Sequence, residues 1–253
     1  MLRWFKADLH VHTCLSPCGD VTMSPRRIIA EARRRGLDVI AITDHNSAEN
    51  VPAVMRAAEG TTIAVIPGME ICSNEDVHVL ALFGSLPSAW AMQETVYGGI
   101  SQTNDPDAFG LQVIANEHDE VEGFQDKLLI GATDLSIGEV VERIHHLNGL
   151  AIASHIDRES FGIVGQLGFI PEGLPLDALE ISCTASRDLA GQLQGEYGRY
   201  VFIRSSDAHS LDRIGERTTR FFMDSPVCEE LGRAIRREEG RAVATDEQNP
   251  GAV

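Results

Sequence analysis

Short apolar runs recur along the chain, separated by segments whose apolar residues return every three or four positions. The runs at 7–11, 38–42, 62–66, 77–83, 150–154, 178–182, 200–203 and 219–223 predict eight strands. Between the first two lies SPRRIIAEARRRG, in which Ser24 suits an N-cap, Pro25 the first helical position and Gly36 the C-terminal stop. A second marked helix begins at Ser136, where Glu139 completes a capping box. Val140, Val141, Ile144 and Leu147 fall on one side of it, and Gly149 ends it. Strands alternating with helices imply a largely parallel sheet with helical crossovers. Eight of them in 253 residues predict an α/β fold closed or nearly closed into a barrel, rather than an open sheet. The stretch 84–133, rich in Gly, Asn, Asp and Gln, breaks the rhythm and reads as an insertion over one barrel face within a single domain spanning 1–253.

Composition narrows the chemistry. No apolar run approaches the roughly 20 residues of a membrane span, and the N-terminal MLRWFKADLHVH lacks a signal-peptide pattern, so a cytoplasmic protein with no membrane partner is expected. Five scattered cysteines do not form a disulfide framework. Lys6 and Lys127 are the only lysines, and neither a phosphate-cradling G-x-x-x-x-G-K-[ST] loop nor a G-x-S-x-G elbow occurs. The formal net charge of −17 argues against a nucleic-acid polymer as partner. It leaves room for a small anionic substrate where bound cations reverse the local sign.

Histidine placement is the strongest chemical signal. His10, His12, His45, His78, His155 and His209 all stand at strand ends, and Glu70 and Asp207 occupy matching positions. Strand ends on one face of a barrel converge in space. In H-x-H the two rings leave a strand on the same side, because side chains alternate faces. One such histidine is ordinarily a hydrogen-bonded structural residue; six of them with two carboxylates read as a centre for Zn²⁺, Mn²⁺ or Fe²⁺, in which a carboxylate can bridge two ions. His145 and His146 suit a helix C-terminus, His118 lies in the acidic NEHDEVE, and Cys14, Cys72, Cys183 and Cys228 read as packed thiols.

The ordered set DLHVHT, ITDHN, Glu70, His155 and SDAH resembles the PHP (polymerase and histidinol phosphatase) superfamily from Asp8 to about residue 224. The resemblance implies a distorted (β/α)7 TIM-like barrel with two or three divalent metal ions at the C-terminal strand ends. It further implies His10, His12, Glu70 and Asp207 around a first ion, with Glu70 bridging to a second held by His78 and His155. His45 and His209 would hold a third. The remaining ligand of that third site, often His or Asp in the family, falls here on Cys18, with Asp20 two residues on. Asp44 is expected to support the neighbouring histidines. The implied reaction is attack on a phosphate ester by a metal-bridging hydroxide, with Asp207, His209 and Glu70 carrying the chemistry. Arg158, Arg187, Arg204 and Asn46 are the candidates for gripping the substrate. The expected activity is hydrolysis of a small phosphomonoester, a nucleotide or a short oligonucleotide. The alternatives are a non-catalytic, metal-stabilised regulatory or binding domain, and a C–N hydrolase, for which neither lysine stands at a strand end.

Overall fold

The computed structural model describes residues 1–245. In chain order it contains β1 (Arg3–Val11), α1 (Pro25–Arg34), β2 (Val39–Ile42), α2 (Val51–Ala58), β3 (Ala64–Cys72), β4 (His78–Leu82), α3 (Leu86–Gly98), α4 (Pro106–Phe109), β5 (Val113–Ala115) and β6 (Val121–Phe124). There follow α5 (Ile137–His146), β7 (Leu150–Ala153), α6 (Ile163–Leu167), β8 (Ala178–Ile181), α7 (Arg187–Glu196), β9 (Val201–Arg204), β10 (Thr219–Met223), α8 (Cys228–Ile235) and β11 (Ala242–Thr245). Nine strands form one sheet in the order β11-β10-β1-β2-β3-β4-β7-β8-β9. It curls into a nearly closed barrel. Beside its N-terminal half β1 pairs with β10, whereas past its midpoint it meets the chain beyond β9, where His12 N–H donates to Ala208 O at 3.0 Å and Ala208 N–H to His10 O at 3.2 Å.

All eight predicted strands form, but the sheet is more mixed than the expected parallel arrangement. β1, β2 and β3 run parallel, as do β7, β8 and β9, while β4 is antiparallel to both β3 and β7. A tight turn at 73–77, with Asp76 at φ 57°, reverses the chain after β3. That reversal brings His78, at the start of β4, beside Cys72 at the end of β3. β3 also runs on to Cys72, so Glu70 lies inside a strand rather than after one.

A second irregularity sets the face of the H-x-H pair. Phe5, Ala7 and Leu9 point into the barrel core with Val39, Ala41, Ile66, Leu80 and Ile152. The β1–β2 register shifts between Asp8 and Val11. Beyond the shift Val11 packs into the outer layer with Ile28, Ile40 and Ile42, and His10 and His12 take the inward side. Without this change of phase both imidazoles would face the helical layer.

The stretch 84–133 opens with α3, a regular helix whose Met92 and Val96 join the outer core. The irregular part follows, with α4 and the β5–β6 hairpin. It rests on the loops after β1 and β2: Val113 N–H donates to Cys14 O at 2.9 Å, and Asn50 Nδ2 to Val113 O at 3.0 Å. Among the described residues no helix is long and apolar enough to cross a membrane.

Helix signals hold with two refinements, the first being that Ser24 stands at the N-cap of α1 without a side-chain cap hydrogen bond. Gly36 adopts φ 66° after α1, and the Ser136–Glu139 capping box forms. After α5, however, Asn148 takes the left-handed conformation at φ 56°. Gly149 is required for space instead: a Cβ there would lie 2.7 Å from the Phe83 ring and 2.8 Å from Leu82 O. Gly149→Ala should therefore destabilise the protein by about 1–3 kcal/mol, whereas Gly191→Ala, in open space within α7, should stabilise it by about 0.5–1 kcal/mol. Equilibrium denaturation of both variants checks the pair; equal effects would contradict this packing.

Candidate metal centre

The C-terminal ends of β1, β2, β3, β7 and β9, together with the start of the reversed β4, bring eight predicted residues into one cluster. Glu70 is its hub, with 1% of its surface exposed. Its Oε1 lies 3.0 Å from His78 Nδ1, 3.1 Å from His155 Nε2 and 3.3 Å from His10 Nε2. Its Oε2 lies 3.1 Å from His45 Nδ1 and 3.5 Å from His12 Nε2. Asp207 Oδ1 stands 3.2 Å from His12 Nε2 and 3.3 Å from His10 Nε2, and His209 Nδ1 is 3.5 Å away. Three overlapping groups, His10/His12/Glu70, His45/Glu70/His78 and His12/His45/His209, each keep their ligand atoms within 4.8 Å of one another. His155 and Asp207 hold positive φ values of 27° and 49°, backbone strain of the kind that collects at functional sites.

Hydrogen bonding behind the rings fixes where their lone pairs point. Asp44 is buried and accepts from Thr13 N, Thr13 Oγ1 and Ser16 Oγ, each at 2.7 Å. Ser16 donates its hydroxyl hydrogen bond to Asp44, so at His12 Nδ1, 2.9 Å away, its oxygen accepts. His12 Nε2 is then left with a lone pair aimed at Asp207 and Glu70. Glu180 plays the same part behind His10, accepting from its Nδ1 at 3.0 Å and from His155 N–H at 3.1 Å. The Nε2 atoms of His10 and His12, both ring nitrogens of His78 and Nδ1 of His155 are buried with no hydrogen-bond partner. Imidazole lone pairs facing carboxylate oxygens repel unless a proton or a cation lies between them. Gaps of 3.0–3.5 Å match the edge of a coordination shell with bonds of about 2.1 Å. The residues therefore fit divalent cations, oriented from behind as metal-bound histidines ordinarily are.

The titration behaviour follows from this crowding. Burial raises the Glu70 carboxyl, but His78 and His10 outweigh it and hold the group well below the usual range. Burial lowers His10, and Glu180, Glu70 and Asp207 together lift it well above normal. His12, buried beside His209, is driven well below. Burial also opposes charge on His45, yet Cys18 and Glu70 raise it to about 10. His209 and His45 beside the exposed Cys18 outweigh the desolvation of its thiol and bring it down to about 6.

Several predicted residues stand elsewhere. Asp20 turns outward: its carboxylate accepts from Thr22 N–H at 2.8 Å, and only its backbone N–H reaches the site, donating to His209 O at 2.8 Å. Cys18 is thus the member of that pair beside the cluster. Arg204 is buried and donates to Ser182 O at 2.8 Å and Ala185 O at 3.1 Å, a structural tie. Asn46 clamps the irregular segment, donating to Leu129 O and Gly131 O at 2.8 Å each and accepting from Cys72 N–H at 3.0 Å. Arg187 opens α7 on the surface. Arg158 alone of the three arginines meets the cluster, through Nη2 to Asp207 Oδ2 at 2.6 Å. His118 is exposed beside Glu117, His145 pairs with Asp177, and His146 is exposed. Sequence reasoning missed Glu180 and Ser16; an acidic residue within the apolar run ALEI was the available signal for the first.

The PHP domain family model matches residues 8–225. The 5'-3' exoribonuclease of Haemophilus influenzae is 31% identical over 80 residues, covering 30% of this chain and 28% of that protein. The lesion-specific endonuclease Q of Pyrococcus furiosus superposes with a TM-score of 0.71 at 18% identity, over 95% of this chain and 58% of that one. A protein of Bifidobacterium adolescentis assigned as a metal-dependent phosphoesterase gives 0.54 at 20% identity, over 80% of this chain and 87% of that one. The two structural likenesses concern the fold. The chain spans 26–58% of the lengths of the curated relatives it matches.

These neighbours overturn the expectation that charge excludes a nucleic-acid polymer. Endonuclease Q is seen bound to a 27-mer duplex with an abasic lesion at its active site, and two curated relatives are exoribonucleases. Net charge sums the whole surface, whereas a phosphate responds to the field where it docks, which bound cations would dominate.

A histidine at its ordinary pKa is neutral at pH 8 and would release no proton to an incoming metal. His10 and His45 are held above that range, so Zn²⁺ binding at pH 8 should release at least about one proton, and affinity should rise with pH. The same raised values mean that their contribution to metal-free stability is present below about pH 6.5 and lost as pH rises through the folded-state values. Calorimetry in buffers of different ionisation enthalpy measures the release; none at pH 8 would contradict these protonation states.

Proposed function

The chain belongs to the PHP domain family, and on that premise we propose that it is a metal-dependent phosphoesterase acting on nucleotide phosphate esters, free or within a nucleic-acid strand. The observation that carries this is the shared carboxylate: one buried Glu70 faced by five imidazoles, with Asp207 and Arg158 at the mouth. His10, His12, Glu70 and Asp207 would hold a first cation, and Glu70, His78 and His155 a second. His45, His209 and Cys18 would hold a third. Bound divalent cations supply an activated water and neutralise charge gathering on phosphate oxygens.

The chain's own groups divide the remaining work. Asp207 faces two ways: Oδ1 toward His10 and His12, Oδ2 toward Arg158. Arg158, 38% exposed, swings its guanidinium onto the substrate phosphate, which such planar forks bind through paired donors. That exchange frees Asp207 Oδ2 to take a proton from the attacking water. Glu180 and Ser16 hold the first two histidines in the tautomers that present Nε2. The kinship with exoribonucleases supports a nucleotide-bearing substrate.

Elemental analysis and a screen of phosphomonoesters, nucleotides and oligonucleotides with Mn²⁺, Zn²⁺ or Fe²⁺ restored should give two to three metal equivalents and phosphate-ester cleavage. Less than one equivalent with no cleavage of any substrate would overturn the reading. Glu70→Gln should lower activity by at least about 100-fold, since loss of even an outer supporting group typically costs 10–100-fold; an unimpaired variant would contradict the shared-carboxylate role. Cys18→Ala should cost up to one metal equivalent and Asp20→Ala none; the opposite pattern would assign the third ligand to Asp20.

A further inference from the structure

Phe161 has no part in the scheme above, yet it touches the cluster. It lies in the loop between β7 and α6, six residues after His155. Its ring stacks on His78 with centroids 4.5 Å apart and planes 20° from parallel, and its carbonyl accepts from His78 N–H at 2.9 Å. The residue nevertheless remains 38% exposed. Its backbone sits at φ 63°, a region bulky side chains avoid and one that costs about 1–3 kcal/mol.

The loop is built to hold this geometry. At Gly162 a Cβ would lie 2.5 Å from Arg158 O and 2.9 Å from His155 O, and at Gly165 a Cβ would lie 2.4 Å from Glu159 O. Arg158 N–H donates to His155 O at 2.9 Å. One short, tightly closed loop thus carries a metal-facing histidine, the arginine on Asp207 and the phenyl ring on His78. A plug over His78 would gain from complete burial and would need no left-handed backbone. An apolar face left open on the loop that also carries Arg158 suits a substrate that is flat and aromatic next to its phosphate.

We propose that Phe161 is the platform on which a base of the substrate stacks while Arg158 holds the adjoining phosphate. The assignment rests on the phosphoesterase reading and narrows the substrate to esters carrying a nucleobase or an equivalent planar ring. Base–aromatic stacking contributes about 1–3 kcal/mol, which converts to a factor of about 5 to 150.

Wild type, Phe161→Ala and Phe161→Trp are compared on a nucleoside 5′-monophosphate, a dinucleotide and glycerol phosphate. In parallel, the metal-loaded proteins are titrated calorimetrically with a non-hydrolysable nucleoside phosphonate, and metal content is measured. Phe161→Ala should lose about 5- to 150-fold in kcat/KM on the two base-bearing esters and less than about twofold on glycerol phosphate, with metal content unchanged and Phe161→Trp restoring the loss. Metal-loaded Phe161→Ala should bind the phosphonate correspondingly more weakly than wild type. Equal losses on the base-free ester, loss of metal with the ring, or unchanged phosphonate binding would each overturn the platform. If wild type cleaves nothing, the phosphoesterase reading fails, and the calorimetric comparison still decides whether Phe161 binds bases.

Discussion

A carboxylate with two oxygens and five imidazoles within 3.5 Å, sealed from water, is an arrangement that protons alone satisfy poorly. An isolated buried carboxylate costs several kcal/mol, and Glu70 meets that cost only by drawing positive charge onto its neighbours. The histidines cannot all oblige. His10 and His45 are pushed toward the charged form, while His12 and His78 are pushed away from it. Cations placed between the lone pairs and the carboxylates would remove this frustration at once. Most features of the upper barrel follow from keeping that geometry: the Asp44–Ser16–His12 and Glu180–His10 relays, the strained backbone at His155 and Asp207, and the closure of β1 against the chain beyond β9.

Much of this was legible in the sequence because histidine at a strand end is a local signal. The eight strands, the barrel, the Ser136 capping box and the gathering of His10, His12, His45, Glu70, His78, His155, Asp207 and His209 all follow from periodicity and position. What escaped depends on pairing between distant segments. Nothing near Asp8 announces the register shift that turns His10 and His12 inward, and the reversal of β4 is set by its partners β3 and β7. Strand β11 and the β5–β6 hairpin carry small or polar residues among their apolar ones and are too weakly patterned to stand out.

The arginines show the same limit from the other side. Arg158 stands first among the three candidates because it follows His155 by three residues, and it meets Asp207; Arg187 and Arg204, also near strand ends in the chain, respectively lie on the surface and tie two loop carbonyls in the interior. Asn46 likewise serves the fold, anchoring the irregular segment over the loops after β1 and β2. Net charge proved the least transferable signal. A surface sum of −17 says little about a site whose sign would be set by ions held inside it, and two curated relatives are exoribonucleases.

The central claim is that the gaps between these lone pairs are cation sites sharing Glu70. Anomalous diffraction at the zinc edge, from crystals grown with Zn²⁺, tests it directly. At least two peaks are expected about 2.0–2.3 Å from the cluster's ligand atoms, with one pair flanking the two oxygens of Glu70. A well-ordered cluster with no anomalous peak among these side chains would contradict it.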